Sequence, residues 1–289
     1  MAQPDQEAGG KRPIAFITGA SRGIGKAIAL SLAQGGYDVI VSARTVKNGE
    51  VRDHSLSIHK ADSRPLPGSL EETVAEIEAL GARALAVPLD LTDRASVGAA
   101  AQRILDLPEW REVDLIVHNG RHIGPGLMDV FMDTPVDAYG KFFEAHCIAP
   151  IVLTRMLLPG MVERGRGTVI TVTSNAAYDT PPAPAGKGGW GLAYAIGKGS
   201  GHQLVGTIHA EYKDKGIRAF NVQPGFVGTE RNHISVQEYG HELKNAAPPA
   251  AIGAVVGWLV SSSEGAALAG TTIEAQDLCR EKELYPAWG

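Results

Sequence analysis

Short runs of consecutive apolar residues alternate along this chain with longer stretches whose apolar positions recur at helical spacing. IAFIT (14–18), DVIVSAR (38–44), RALAVPLD (83–90), VDLIVHNG (113–120), GTVITVTS (167–174), IRAFNVQPG (217–225) and GTTIEA (270–275) read as strands. Helices are predicted over 23–36, 69–82, 93–105, a long 136–165, a segment around GLAYAIGKGSG (191–201) and AIGAVVGWLVS (251–261). Ser69, with Glu72 three residues on, marks one helix start as a capping box. Strands that are apolar throughout are buried on both faces, and a helix after each strand implies a parallel sheet covered on both sides. The pattern therefore predicts an α/β, doubly wound fold of about seven mostly parallel strands. It forms one domain, 13–289, after a disordered polar tail, 1–12. Ligands of such folds sit beyond the carboxyl ends of the strands, so the residues that end each strand carry the interest.

Two segments break the rhythm: a polar insertion, 45–68, and a Pro/Gly-rich loop, 175–191. Irregular stretches of this length in compact domains are often functional. The bulk numbers are ordinary for a soluble globular protein: 289 residues, 44% hydrophobic, 20% charged, net charge −5. They give no basic face for a nucleic-acid partner. The longest nearly apolar run, 250–260, is too short to span a bilayer, and the polar start has no secretory h-region. With two cysteines and no disulfide framework, the expectation is a cytoplasmic protein with no membrane partner. Nine histidines occur without H-E-x-x-H or paired C-x-x-C spacing, so no metal site is expected.

TGASRGIG joins the first strand to its helix. Its glycines allow a tight turn and close backbone approach, and the helix N-terminus offers N–H groups to a pyrophosphate. A Walker A loop is excluded, since Ala20 and Ala27 stand where that motif needs glycine and Ser/Thr. At the end of the second strand Ala43 occupies the position where an acidic residue would hold a ribose 2′-hydroxyl, and Arg44 follows. Arg22 sits inside the glycine turn; guanidinium groups in these places favour a phosphate dianion. Tyr194 and Lys198 are four residues apart, hence on one helix face. A cation beside a phenol lowers its pKa from near 10, which suits general acid/base work.

The motifs TGASRGIG and YAIGK together resemble the short-chain dehydrogenase/reductase family, whose patterns are T-G-x-x-x-G-x-G and Y-x-x-x-K. The resemblance runs from about residue 13 to 275 and includes DLTD at Asp90, HNG at Asn119, TSNAA at Ser174 and NVQPGFVGT at 221–229. It implies a Rossmann fold and an NADP(H)-dependent oxidoreductase, rather than one using NAD(H), that interconverts a small-molecule carbonyl and an alcohol. By the same resemblance Tyr194 is the general acid/base, assisted by Lys198 and Ser174. The cofactor would be held by Gly19, Ser21, Arg22, Gly23, Ile24, Gly25, Arg44, Asp90, Leu91, Asn119, Gly120, Tyr194, Lys198, Pro224, Gly225, Val227 and Thr229. A homodimer or homotetramer is implied as well. The alternative is a catalytically silent, nucleotide-binding relative acting as sensor or scaffold.

The chain departs from the family pattern in three places. It reads Asn119-Gly120-Arg121 where N-A-G is usual. Ser174 and Tyr194 are 20 positions apart, several more than usual, the excess being a loop expected to wall the substrate pocket together with 225–249. His146 stands where the family has an asparagine that helps hold a water near the lysine. The histidine either keeps a polar contact there or is an ordinary helix residue. In the first case the pH–rate profile should differ from that of an asparagine variant.

Overall fold

A computed structural model describes residues 11–233 and 245–288. Seven strands, β1 (Ile14–Thr18), β2 (Asp38–Ala43), β3 (Ala84–Pro88), β4 (Val113–His118), β5 (Gly167–Val172), β6 (Ile217–Gln223) and β7 (Thr272–Glu274), form one sheet. Its order is β3-β2-β1-β4-β5-β6-β7 and every pairing is parallel. The chain reverses direction of travel between β1 and β4, which opens a crevice at their carboxyl ends. The helices are α1 (Gly23–Gln34), α2 (Leu70–Ala79), α3 (Arg94–Asp106), α4 (Val136–Phe143), α5 (Ala149–Glu163), α6 (Leu192–Tyr212), α7 (Pro249–Ser261), α8 (Ser263–Ala267) and α9 (Ala275–Glu281).

Side chains of a strand alternate between faces, and β1 shows why every position is apolar. Ala15 and Ile17 pack in one core with α1 and α7, whereas Ile14 and Phe16 pack in another with α3 and α5. All four are fully buried, and each large one contributes about 1.5–3 kcal/mol by leaving water. Half of the predicted capping box is present: the Ser69 hydroxyl accepts the Glu72 N–H at 3.1 Å and opens α2, while the Glu72 carboxylate accepts from Asn48 Nδ2.

The long helix predicted over 136–165 is α4 and α5 joined by a single π turn, Glu144–Ile148. Pro150 explains the interruption, since it has no N–H to give the His146 carbonyl and its ring would collide with that oxygen in a regular helix. The carbonyl instead faces Gly201 of α6, where an added Cβ would stand 2.5 Å away. The joined run Val136–Glu163 is long and apolar enough to cross a bilayer, but 56% of its most apolar window is buried inside the protein. Both cysteines are buried free thiols.

Candidate active site

The turn after β1 is built by close approach. Gly19 and Gly23 adopt positive φ, +69° and +56°, a conformation glycine enters without strain. A Cβ on Gly19 would stand 2.6 Å from the Gly120 Cα, and one on Gly25 would stand 2.3 Å from the Gly19 carbonyl oxygen. Asn119 fastens this turn to β4: its Nδ2 donates to the Thr18 and Gly19 carbonyls at 2.9 and 3.1 Å. The Thr18 hydroxyl in turn accepts the Asn119 and Gly120 N–H groups. No side chain caps α1, so its first-turn N–H groups are left for a ligand in the cleft.

That cleft, about 280 Å³, brings together Gly19, Ser21, Arg22, Gly23, Ile24, Gly25, Arg44, Asp90, Leu91, Asn119, Gly120, Ser174, Tyr194, Lys198, Pro224, Gly225, Val227 and Thr229. His146 is the one predicted site residue outside its wall. At the β2–β3 end the Asp90 carboxylate accepts the Thr92 N–H and hydroxyl at 2.9 and 2.7 Å. Burial opposes its ionisation, but the Thr92 donors and Arg44 hold its pKa below the usual carboxylate value. Arg22 lines the cleft and is also tied to the 45–68 insertion, its Nε donating to the Pro67 carbonyl (2.8 Å) and its Nη2 to the Gly68 (2.7 Å) and Leu66 (3.4 Å) carbonyls.

At the other end, Ser174 finishes the extended stretch after β5, while Tyr194 and Lys198 lie on the first turns of α6. The Lys198 ammonium is buried and donates to the Val172 carbonyl at 2.8 Å. Burial by itself would raise the Tyr194 pKa, but Lys198, Arg121 and the Ser174 hydroxyl together bring it below 10.0. Burial also lowers the Lys198 pKa, against the pull of the phenol. Arg121 lines the same cleft, and its positive charge favours the Tyr194 phenolate. The sequence flagged Arg121 only as a departure from N-A-G.

His146 packs edge-on against the Tyr194 ring, with centroids 6.0 Å apart. Its Nε2 accepts the His122 backbone N–H at 3.0 Å, which places its proton on Nδ1. Burial first, and Lys198 second, push its pKa well below 6.5. The ring therefore stays neutral across the working range, and the expected difference in pH–rate profile loses its physical basis. His146 and Lys198 share with His118 and Thr171 a small cavity of about 20 Å³, the size of one water molecule.

The sequence also missed the strap that roofs the cleft. Residues 45–68 leave β2 and return to α2, with the Leu70 N–H bonding the Thr45 carbonyl at 3.1 Å. In between, Leu56 joins Leu127, Phe142 and Ala193 in a cluster against which Tyr194 packs. The Met128 N–H bonds the Leu56 carbonyl at 3.0 Å, and Ser57 bonds the buried Asp129. Asp62 forms a buried ion pair with Arg231 at 3.2 Å, and Arg231 also donates to the His54 carbonyl. Arg52, His54 and Leu66 of the strap line the cleft. The loop 175–191 contributes only Asn175 to that lining. Of the 225–249 segment, Phe226–Gly228 and Ala247 are joined by backbone bonds, while Ile234, Val236 and Tyr239 lie outside the described residues. Leu284, Tyr285 and Trp288 near the C-terminus pack on the core beside α7 and α9.

The family model described as short chain dehydrogenase matches residues 13–66 and 61–240. The chain is 33% identical over 185 residues to human dehydrogenase/reductase SDR family member 7, covering 61% of this chain and 48% of that protein. It is 28% identical over 216 residues to the 7alpha-hydroxysteroid dehydrogenase of Escherichia coli, covering 75% of this chain and 71% of that one. It spans only about half to two thirds of the SDR family member 7 and 7B proteins that it matches. Among solved structures, a Beutenbergia cavernae chain proposed to be an NAD(P)-dependent gluconate 5-dehydrogenase, with NADP at low occupancy, superposes at TM-score 0.72. That match has 22% identity over 91% of this chain and 94% of the other. Acetoin dehydrogenase from Salmonella typhimurium superposes at 0.70, with 22% identity over 91% and 93% of the two chains.

Proposed function

The chain belongs to the short-chain dehydrogenase family, and from that premise we propose that it is an NADP(H)-dependent oxidoreductase interconverting a ketone or aldehyde with an alcohol. The observation that carries this reading is the convergence of Ser174, Tyr194 and Lys198 at one end of a cleft whose other end is the glycine turn. The cleft fits a dinucleotide. Its floor is glycine where any Cβ would intrude, and an uncapped helix N-terminus opens into it. The turn and α1 would hold the pyrophosphate, Asp90 and Leu91 the adenosine, Lys198 the nicotinamide ribose, and Pro224, Gly225, Val227 and Thr229 the nicotinamide end. Arg44 and Arg22 both line the cleft and would meet a 2′-phosphate; the NADP in a structural relative supports that choice of coenzyme.

When bound, NADPH supplies the hydride that reduces the carbonyl carbon. The chain's own residues handle the proton. The Tyr194 hydroxyl donates it to the substrate oxygen during reduction and takes it back, as phenolate, during oxidation. Lys198 is fixed by the Val172 carbonyl at the distance from which its charge favours phenolate. The Ser174 hydroxyl orients and polarises the substrate oxygen. Exposed apolar side chains on α4 and α5, Val136 (83%), Phe143 (43%) and Ile151 (37%), support a homo-oligomer built on these helices. The unpaired thiols support the cytoplasmic expectation.

NADPH consumption across a panel of ketones and aldehydes tests the reading. Turnover of the accepted substrate should fall about 10²–10⁴-fold in Tyr194→Phe. Undiminished turnover in that variant would remove the phenol from the chemistry. NADPH binding without turnover of any substrate would favour the silent relative.

A further inference from the structure

The match to the family model breaks into 13–66 and 61–240, inside the strap, so the strap belongs to this chain rather than to the common pattern. Both of its ends are fastened beside the glycine turn and β2. Its return meets the turn: a Cβ on Gly68 would stand 2.6 Å from the Ser21 carbonyl oxygen, and Arg22 donates to the carbonyls of 66–68. Its departure is fastened by Arg52, whose Nη2 donates to the Arg44 carbonyl at 3.0 Å. The same Nη2 pairs with Glu50, and Glu50 is itself fixed by the Val46 and Lys47 N–H groups at 3.0 and 2.7 Å. The guanidinium is thus clamped through one nitrogen. Its Nε is buried and, like Nη1, has no hydrogen-bond partner among the described residues. Ala43, Arg44 and Arg52 line one stretch of the cleft, and the Arg44 side chain forms no hydrogen bond or ion pair among the described residues.

We propose that Arg52 is a further specificity-determining residue: with Arg44 it binds the 2′-phosphate of NADP(H), so that the strap itself takes part in choosing the coenzyme. This rests on the NADP(H) reading of the cleft. The placement comes from a backbone bond. In a doubly wound sheet the ribose 2′ position lies at the carboxyl end of β2, where Ala43 stands in place of an acidic residue. Arg52 is bonded to the carbonyl of Arg44, the very next residue. The chemistry comes from the donors left over. A buried N–H without an acceptor is costly, and a phosphate dianion brings acceptors and the opposite charge together. The Glu50 pair is partly exposed and screened by solvent, so it does not cancel the pull of the guanidinium on a dianion. The bare ribose hydroxyl of NADH carries no charge and gains little from a third arginine.

The test is calorimetric titration of the full chain with 2′,5′-ADP and with 5′-AMP, two nucleotides that differ only in the 2′-phosphate. The native protein should bind 2′,5′-ADP at least tenfold more tightly. Arg52→Gln can still donate to the Arg44 carbonyl but has no charge; it should cut that ratio about tenfold, as expected for a lost charge-assisted bond, while 5′-AMP affinity stays within about twofold of native. Arg52→Lys should restore part of the ratio, since charge survives without the fork. An Arg52→Gln protein that keeps the native ratio overturns the inference. So does one that weakens both nucleotides equally, which would make Arg52 a fastening for the strap and nothing more. A ratio that collapses in Arg44→Ala but holds in Arg52→Gln sinks this inference alone and leaves the NADP(H) reading standing. A native protein that does not distinguish the two nucleotides sinks both.

Discussion

Replacing Gly25 by alanine isolates the close approach on which the glycine turn depends. Gly25 lies in the first turn of α1 and is not among the glycines with positive φ, so its backbone accepts an alanine. By helix propensity alone the change is worth about 1 kcal/mol in favour of alanine. Sterics oppose it. The new Cβ would stand 2.3 Å from the Gly19 oxygen, 2.4 Å from Asn119 Nδ2 and 2.8 Å from the Gly19 carbonyl carbon, where ordinary contact starts at 3.4 Å. Two of these neighbours are backbone, so the turn itself must move by about 1 Å. Strain of that kind costs about 1–3 kcal/mol. The shift also breaks the two Asn119 bonds, each worth about 1 kcal/mol. After the propensity gain, the net loss is about 2–4 kcal/mol, which lowers Tm by on the order of 10 °C in a chain of this size. NADPH affinity should fall at least tenfold, about 1.4 kcal/mol, because the displaced N–H groups no longer converge. Differential scanning calorimetry reads the first effect and NADPH fluorescence titration the second. Gly98→Ala is the control: Gly98 is in α3, nothing lies within 4 Å of its added Cβ, and Tm should hold or rise. A Gly25→Ala protein with Tm within about 1 °C and NADPH affinity within about twofold of native would refute the steric account.

His146→Asn should leave the pH–rate profile superimposable on the native one, because burial keeps the histidine neutral; a displaced acid limb would show that it titrates. The alcohol-oxidation rate should rise with pH and level off below pH 10, since the lowered Tyr194 pKa makes phenolate available earlier; a limb centred at or above 10 contradicts the Lys198 and Arg121 effect. Arg44→Ala should raise the KM for NADPH about tenfold or more, as expected for a lost charge-assisted phosphate bond, with little change for NADH; equal changes for both coenzymes would remove Arg44 from phosphate recognition. Asp62 has its carboxyl lowered from 3.8 to about 2, chiefly by Arg64, so its contribution to stability is present above the higher value and lost as pH falls through the lower one. Asp62→Asn should therefore have a lower Tm at neutral pH and a shallower Tm loss between these two pH values; parallel pH–Tm curves would mean the strap adds nothing to folding.

The strands were legible because burial on both faces leaves a run of apolar residues that nothing else in the chain imitates. The glycine turn and the Tyr194–Lys198 pair were legible because both are local, with spacing that encodes their geometry. The strap was not. Residues 45–68 have no period, and what fixes them is remote: Asp62 finds Arg231, Leu56 finds Phe142 and Ala193, and Arg22 finds the carbonyls of 66–68. Arg121 and His146 stood out by identity, but their roles depend on neighbours brought by α6 and the π turn. The state of His146 in particular follows from burial that no window of sequence contains.

Strand order has a consequence for how this protein is made. Ile14 of β1 pairs with Asp38 on one side and with Val113 on the other. At about 5–20 residues per second, roughly 5–20 s of synthesis separate the emergence of the first strand from that of its second neighbour. For that interval the nascent chain carries Phe16 and Ile17 without the neighbours that β4 and later elements bring, which makes early chaperone engagement the natural companion of this topology.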